Sequence, residues 1–333
     1  MAVRLWIELS GEHPTLPRAE SLAALEAERV EVREASWGAA LLRVDAVGPV
    51  GRAVRRIGLA HVVCEELARG DLEDLRAYAR SADLGGKTFR TRAHGLQAEL
   101  DRGAIEGALG ADFGRTGRVD LTTPNVEFRV LLADEFLLGR VLHRVDRAGL
   151  EARKVTHRAF NLPISLHPKY ARALVNLARV PAGGVLLDPF CGTGGILLEA
   201  AHVGLRAVGA DVRRTMATGA RTSIRPFGGE VGFLVADAGS GPWRREGIDG
   251  IATDPPYGRA ASTRGEPPKR LYARAFGAFA SALKSGGHAA VVLPDEDAIR
   301  IGERELELME RHSVRVHRSL TRHFCVFRKS RSG

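Results

Sequence analysis

Two short stretches of the chain carry the residue types that could do chemistry. Asp254-Pro255-Pro256-Tyr257 follows the apolar run 248–252. Two consecutive prolines cannot continue a sheet ladder, so a strand through 248–252 must leave its sheet at Asp254. A carboxylate, a stiff main-chain carbonyl and an aromatic ring then stand at the C-terminal end of a strand, where open α/β sheets bind ligands. Asp254 and the Pro255 carbonyl can each accept one N–H of an exocyclic amine. That orients a nitrogen whose lone pair is delocalised into a ring and supports the charge that develops as a methyl group arrives. Tyr257 offers a face to an unstacked base, and Pro256 stiffens the same wall. An Asp-Pro pair also starts ordinary turns, but average residue usage produces all four together in roughly one chain in a thousand of this length. The chemistry these types suit is methyl transfer to a nucleobase amino group.

The second stretch reads as a buried strand, 184–188, a tight turn through Phe190, Gly192, Thr193 and Gly194, and a helix from 196. Glycines let the main chain approach a ligand closely, and a helix N-terminus offers free N–H donors to a carboxylate. Asp188 ends the strand, Asp211 ends a second one at 207–210, and Asp237 follows a third at 231–235. A carboxylate at the position of Asp188 suits a cationic amino-acid end and a sulfonium, whereas it would repel a pyrophosphate. Asp211 can accept ribose hydroxyls and Asp237 the adenine amino group. Val212 and Ala238 beside them complete the candidate cofactor set. Each carboxylate alone could be a helix N-cap. A dinucleotide fingerprint fails because Leu197 stands where its third glycine belongs. S-adenosylmethionine is the cofactor this set favours. Cys191, with no general base nearby in sequence, reads as a small turn residue.

At 333 residues, two or three domains are expected. Hydrophobic residues at 44% and charged residues at 27% describe a folded globular chain, and a net charge of +9 suits a polyanionic partner. Cys64, Cys191 and Cys325 form no Cys-x-x-Cys pair, which excludes a cysteine-rich zinc module and points to a reducing compartment; no metal site is expected. With Arg4 and Glu8 among the first apolar residues no signal peptide is expected, and no apolar run is long enough to span a bilayer, so a cytoplasmic location without membrane contact is expected.

The elements that must position these residues follow from hydrophobic periodicity. Residues 1–66 read as β-α-β-β-α-β, a ferredoxin-like order. Residues 67–146 read as a second α+β unit, with helices at 72–80 and 96–109 and strands at 87–92, 126–132 and 135–138. A linker at 147–160 leads into a Rossmann-like α/β domain at 161–333, whose last elements are a helix at 296–311 and strands at 314–319 and 323–328. Lys87, Arg90 and Arg92 lie on a strand that could face phosphates or simply solvent. Arg158 in the linker, Arg259 in the polar loop after Gly258, and Lys269 and Arg270 beyond it are further candidate substrate contacts.

The segment 87–132, with Phe89-Arg90-Thr91-Arg92 and Pro124-Asn125-Val126-Glu127-Phe128-Arg129-Val130, resembles a THUMP domain, an RNA-binding module of tRNA-modifying enzymes. From Lys87 to the end, the chain is similar to the THUMP-linked tRNA guanosine methyltransferases. Asp188-Pro189-Phe190-Cys191-Gly192-Thr193-Gly194-Gly195 and Asp254-Pro255-Pro256-Tyr257-Gly258 carry the specific likeness. The archaeal-type members modify the guanine amine at tRNA position 10; a close relative modifies the same atom at position 6. Arg158-Ala159-Phe160 departs from the Arg-Pro-Phe more often seen there. The resemblance implies tRNA as partner, a flipped guanosine, one or two methyl groups on N2, and a monomer, with a small zinc-containing activating subunit in some relatives. A DNA adenine or cytosine amino-methyltransferase, and a tRNA-binding factor with an idle cofactor fold, are the competing readings.

Overall fold

The computed structural model describes residues 2–38, 40–95, 101–132, 135–160, 165–257, 265–317 and 320–330. In chain order the first elements are β1 (Ala2–Leu9), α1 (Leu16–Ala27), β2 (Glu31–Trp37), β3 (Leu41–Val47), α2 (Val50–Arg56), β4 (Ala60–Gly70), α3 (Leu72–Ser81), β5 (Thr88–Gly95), α4 (Arg102–Phe113), β6 (Arg118–Val119), β7 (Val126–Leu132) and β8 (Phe136–Arg144). They continue with α5 (Arg147–Ala152), α6 (Pro168–Leu177), β9 (Val185–Asp188), α7 (Gly195–His202), β10 (Arg206–Asp211), α8 (Arg214–Ile224), β11 (Val231–Val235), β12 (Ile248–Thr253), α9 (Pro268–Ala282), β13 (Leu283–Leu293), α10 (Glu296–Glu303), β14 (Glu307–His317) and β15 (Leu320–Arg328). Two compact units result: residues 1–10, 31–54 and 60–144 form the first, and 11–30, 55–59 and 145–333 the second.

The first unit is built on one eight-stranded sheet, ordered β2-β3-β1-β4-β8-β7-β5-β6. Its first four strands have the ferredoxin-like order. The antiparallel β4–β8 pairing, from Val62 opposite Arg144 to Gly70 opposite Phe136, joins them to the second half. The join was not legible beforehand, because β4 runs to Gly70, past the bound at 66 expected for the first unit. On the second half, the Phe113 and Phe128 rings stack at 3.9 Å and Phe89 tilts against both. That cluster ties α4 to the sheet. The Asp101 side chain accepts from the Ala104 N–H and caps α4, which starts at 102; residues 96–100 of the expected helix lie outside the described residues.

The second unit carries a seven-stranded sheet, ordered β11-β10-β9-β12-β13-β15-β14. The pairs among β11, β10, β9, β12 and β13 are parallel, and β15 runs antiparallel to both β13 and β14. Successive residues serve opposite faces, as the period of two requires. Leu186, Ala252, Ala290 and Val326 enter the core that holds α6 and α7, whereas Leu187, Ile251, Ala289 and Phe327 enter the one that holds α9 and α10. Helices therefore cover both faces of a buried sheet, the Rossmann-like arrangement of class I methyltransferases. Helix α1 is part of this unit, contributing Leu16, Ala19 and Ala23 to the core shared with α6. The strand order reverses direction between β9 and β12, and such a switch point opens a crevice at the carboxyl ends of the strands.

Three expectations are corrected here. The helix expected over 296–311 ends at Glu303, and 307–317 is β14 instead, because pairing along β15 overrides the helix propensity of the Glu- and Leu-rich 303–310 stretch. Helix α8 was not anticipated, and a short helix, α5, occupies part of the segment read as a linker. No helix of the described residues is long and apolar enough to cross a membrane.

Candidate active site

Parallel strands end on the same edge of a sheet, and here four carboxylates end them. Asp188 is the last residue of β9, Asp211 the last of β10, Asp254 the first after β12, and Asp237 the second after β11. Asp188 is 1% exposed, and its Oδ1 accepts from Thr253 Oγ1 at 2.7 Å and from the Phe190 N–H at 3.2 Å. Burial, reinforced by the charges of Asp254 and Asp211, pushes its carboxyl up to about 7 against these hydrogen bonds. A buried anion in that state is best matched by a cation. Thr253 was missed from sequence, although it immediately precedes Asp254; it couples the ends of the two central strands.

The turn after β9 depends on two left-handed glycines, Gly192 at φ +50° and Gly194 at φ +79°. A Cβ on Gly194 would stand 2.8 Å from Ile224 Cδ1. Gly194 is also the N-cap of α7 and gives no side-chain cap, which leaves the helix N-terminus to a ligand. Thr193 is buried, with its hydroxyl 2.7 Å from Ser165 Oγ, and its carbonyl accepts from Arg158 Nη1 at 3.0 Å. Arg158, read from sequence as a substrate contact, is thus 4% exposed and braces the turn from behind. Cys191 is buried against Gly209, and burial raises its thiol far from reactivity.

Asp254 is half-buried, and its Oδ1 is shielded from solvent without a hydrogen-bond partner. Burial pushes its carboxyl up to about 6, offset in part by the Arg322 guanidinium and the Tyr257 hydroxyl. Pro255 is buried and Pro256 half-buried. Tyr272 Oη, from α9, donates to the Pro256 carbonyl at 2.9 Å and pins the loop. Arg322, from β15, lies over the Tyr257 ring with Cζ 5.7 Å from its centroid. Neither Tyr272 nor Arg322 carried a signal in sequence, since each reaches the site only through the tertiary packing of a distant element.

Asp211 is nearly buried and receives the Arg213 N–H at 2.8 Å. Asp237 is more engaged than expected. Its Oδ1 accepts from the Gly239 N–H at 2.9 Å and from Arg274 Nη1 at 2.7 Å, and Arg274 Nη2 reaches Oδ2 at 3.2 Å. Arg274 holds its carboxyl below the usual range. The same guanidinium grips Glu266 at 2.8 and 3.0 Å. Val212 is half-buried beside Asp211, and Ala238 is buried.

The remaining candidates are dispersed. Lys269 is exposed and pairs with Asp297 at 2.6 Å, and Arg270 is exposed near Glu266. In the first unit Lys87 is exposed, Arg90 pairs with Glu127 at 2.9 Å across the β5–β7 register, and Arg92 pairs with Glu106 at 3.1 Å. Arg259 lies outside the described residues.

The sheet order, the glycine turn and the four strand-end carboxylates together define a class I methyltransferase, and the buried acid at Asp188 and unpartnered oxygen at Asp254 fit S-adenosylmethionine and an amine acceptor. Comparison with known proteins agrees. The family UPF0020, an RMKL-like methyltransferase domain, matches residues 156–323. The tRNA (guanine(10)-N2)-dimethyltransferase of Methanothermobacter thermautotrophicus is 35% identical over 329 residues, covering 96% of this chain and 98% of its own. The protein of that name from Pyrococcus abyssi is 32% identical over 334 residues, with 96% and 98% covered. The solved structure of TrmN from Thermus thermophilus shares the fold, with a TM-score of 0.53 at 24% identity over 98% of this chain and 99% of that one. The chain belongs to the tRNA guanine-N2-methyltransferases, a family of S-adenosylmethionine-dependent enzymes.

Proposed function

We propose that the protein methylates the N2 amino group of guanosine 10 in tRNA, adding one or two methyl groups. The observation that carries this reading is Asp254 Oδ1, a buried carboxylate oxygen without a partner, one residue from a buried proline and three from a tyrosine ring. The names of the relatives that align over nearly the whole chain, at 35% and 32% identity, support the choice of position.

In this reading Asp188, Asp211 and Asp237 bind the amino-acid end, ribose and adenine of S-adenosylmethionine, with Phe190, Gly192, Thr193, Gly194, Val212 and Ala238 lining the same pocket. A carboxylate has about four lone-pair sites, so Asp237 can serve adenine while holding Arg274. The bound cofactor supplies an electrophilic methyl group on a sulfonium. The guanine is flipped out of its stack and lies on Tyr257 against Pro256. Asp254 Oδ1 and the Pro255 carbonyl accept the two amine hydrogens, which aims the nitrogen lone pair away from them. For each methyl group gained the nitrogen sheds one proton, and Asp254 is the acceptor we assign. The hydrogen bond from Thr253 to Asp188 keeps the cofactor acid and the amine acceptor in fixed register, as preorganisation demands.

Around this centre we read residues 67–146 as the THUMP-like RNA-binding module, following the ferredoxin-like strand order of 1–66, and 161–333, after a linker at 147–160, as the catalytic domain, whose core 11–30 and 55–59 complete. Lys87, Arg90 and Arg92 would meet tRNA phosphates, as would Arg259, Lys269 and Arg270 near the catalytic loop. The chain acts as a monomer, and co-purification with a small zinc-containing subunit tests whether it takes an activator. The decisive experiment incubates the protein with radiolabelled S-adenosylmethionine and unmodified tRNA transcripts, followed by nucleoside analysis. N2-methylguanosine that disappears when guanosine 10 is replaced is the expected result. Label retained until guanosine 6 is replaced, label entering only duplex DNA, or cofactor binding without turnover would each overturn it.

A further inference from the structure

Arg322 sits opposite Val314 of β14, and the residue after it, His323, pairs with Leu293 at the end of β13. Because β15 runs antiparallel to its neighbour, its beginning lies at the edge where β9 and β12 end. Two side-chain atoms near this edge, Asp254 Oδ1 and Arg322 Nε, are shielded from solvent and lack a hydrogen-bond partner, and the Tyr257 hydroxyl interacts with both residues. Among the described residues Arg322 makes no salt bridge, and its planar group lies over the Tyr257 ring, 5.7 Å from the centroid. A shielded guanidinium nitrogen left without a hydrogen-bond partner is costly. Its neighbours are the two groups that methyl transfer uses.

We propose that Arg322 is a positioning residue for the reaction: it closes one face of Tyr257, so that the base stacks on the other, and it keeps Asp254 an anionic acceptor. The inference rests on the methyl-transfer reading above. Among the described residues, the groups that face Asp254 are Tyr257 on its own loop, Asp188 from β9, Tyr272 from α9 and Arg322 from β15. Of these only Arg322 is positive. The positive charge of Arg322 favours the ionised form of Asp254 and so lowers its carboxyl against the effect of burial. Without it the carboxyl, now at about 6, rises further, so that at neutral pH more of it gives up an acceptor lone pair to a proton. The same guanidinium also fixes the ring, since Arg stacks on aromatic faces where Lys is a compact point charge.

Arg322→Met and Arg322→Lys separate the two effects. Cofactor affinity of both variants, by calorimetry, should match that of the unaltered protein, which also reports folding. Turnover of Arg322→Met on tRNA at about pH 7 should fall roughly tenfold to a hundredfold. The acidic limb of kcat/KM should move up by about one pH unit, so the defect shrinks on alkaline assay. Arg322→Lys should restore the limb. A loss of equal size at every pH, with the limb unmoved, would overturn the proposal, as would normal turnover. In parallel, the Asp254 carboxyl resonance, followed by carbon NMR in the protein without tRNA, should titrate about one pH unit higher in Arg322→Met; an unmoved midpoint would likewise overturn it. That readout stands even if the tRNA assay fails, which would count against the proposed function alone. If Arg322→Met does not fold, Arg322→Gln takes its place in each comparison.

Discussion

Asp188 ionises only at a cost that the fold alone does not recover, and Asp188→Asn tests this directly. Its carboxyl rises from an ordinary 3.8 to about 7 in the folded chain, mainly through burial. A carboxyl raised on folding favours the folded state fully below its unfolded value, and that contribution disappears as pH climbs through the folded value. The difference of about three pH units corresponds to an upper bound of about 4 kcal/mol, of which ~2.5 kcal/mol accrues between about pH 5 and about pH 8. Asparagine keeps an oxygen to accept from Thr253 Oγ1 and the Phe190 N–H, so the hydrogen bonds survive the change. Urea unfolding without cofactor should therefore find Asp188→Asn more stable than the unaltered protein at about pH 8, with the advantage shrinking by about 2 kcal/mol near pH 5. Its affinity for S-adenosylmethionine should fall by about 100-fold or more, since a buried cation then lacks its partner. An advantage independent of pH, or none at about pH 8, would refute the view that Asp188 is strained toward a cationic ligand.

Asp254→Ala should leave cofactor affinity nearly intact while turnover on tRNA drops on the order of 10²-fold, measured in single-turnover assays. Gly194→Ala places a Cβ 2.8 Å from Ile224 Cδ1 at φ +79°, so cofactor affinity should fall more than about tenfold, with a stability loss of roughly 1–3 kcal/mol by thermal unfolding. Glu199 receives Arg153 Nε at 2.7 Å and Arg172 Nη2 at 2.5 Å in a buried setting, and Glu199→Gln should cost about 3–5 kcal/mol in the same assay by stranding two cations.

The parts of the site legible in the sequence were those written locally. Asp188, Asp211 and Asp254 announce themselves because each ends an apolar run at a turn, and Gly192 and Gly194 because a tight turn needs left-handed residues. Asp237 was legible as a position but not as a partner, because the guanidinium that occupies it belongs to α9, a helix whose register no local pattern reveals. The place of Arg158, read as a substrate contact, was not legible for a related reason: nothing in an irregular stretch reveals the turn that a cation will brace once folded beside it. Tyr272 and Arg322 lay hidden because their sequence neighbours say nothing about which strand end they will meet. In the fold, the alternation of 126–132 was plain, whereas the Glu- and Leu-rich run 303–310 leading into β14 satisfied helix and strand patterns equally, and pairing with β15 from Glu307 onward decided it.

The catalytic unit is assembled from three separated lengths of chain, and this bears on how the protein could be taken apart. Glu20 of α1 accepts from the Gly58 and Leu59 N–H groups at 2.7 and 2.8 Å and from Asn176 Nδ2 at 2.8 Å, and Arg56 Nε donates to Asn176 Oδ1 at 3.1 Å. A gene fragment beginning at 145 would strip the apolar face of α6 of its cover and leave the Asn176 amide buried without those partners. Grafting this methyltransferase onto another RNA reader at a single junction is therefore the wrong cut: the transplant must carry 11–30 and 55–59 with it, and those pieces are threaded through the chain that builds the other sheet.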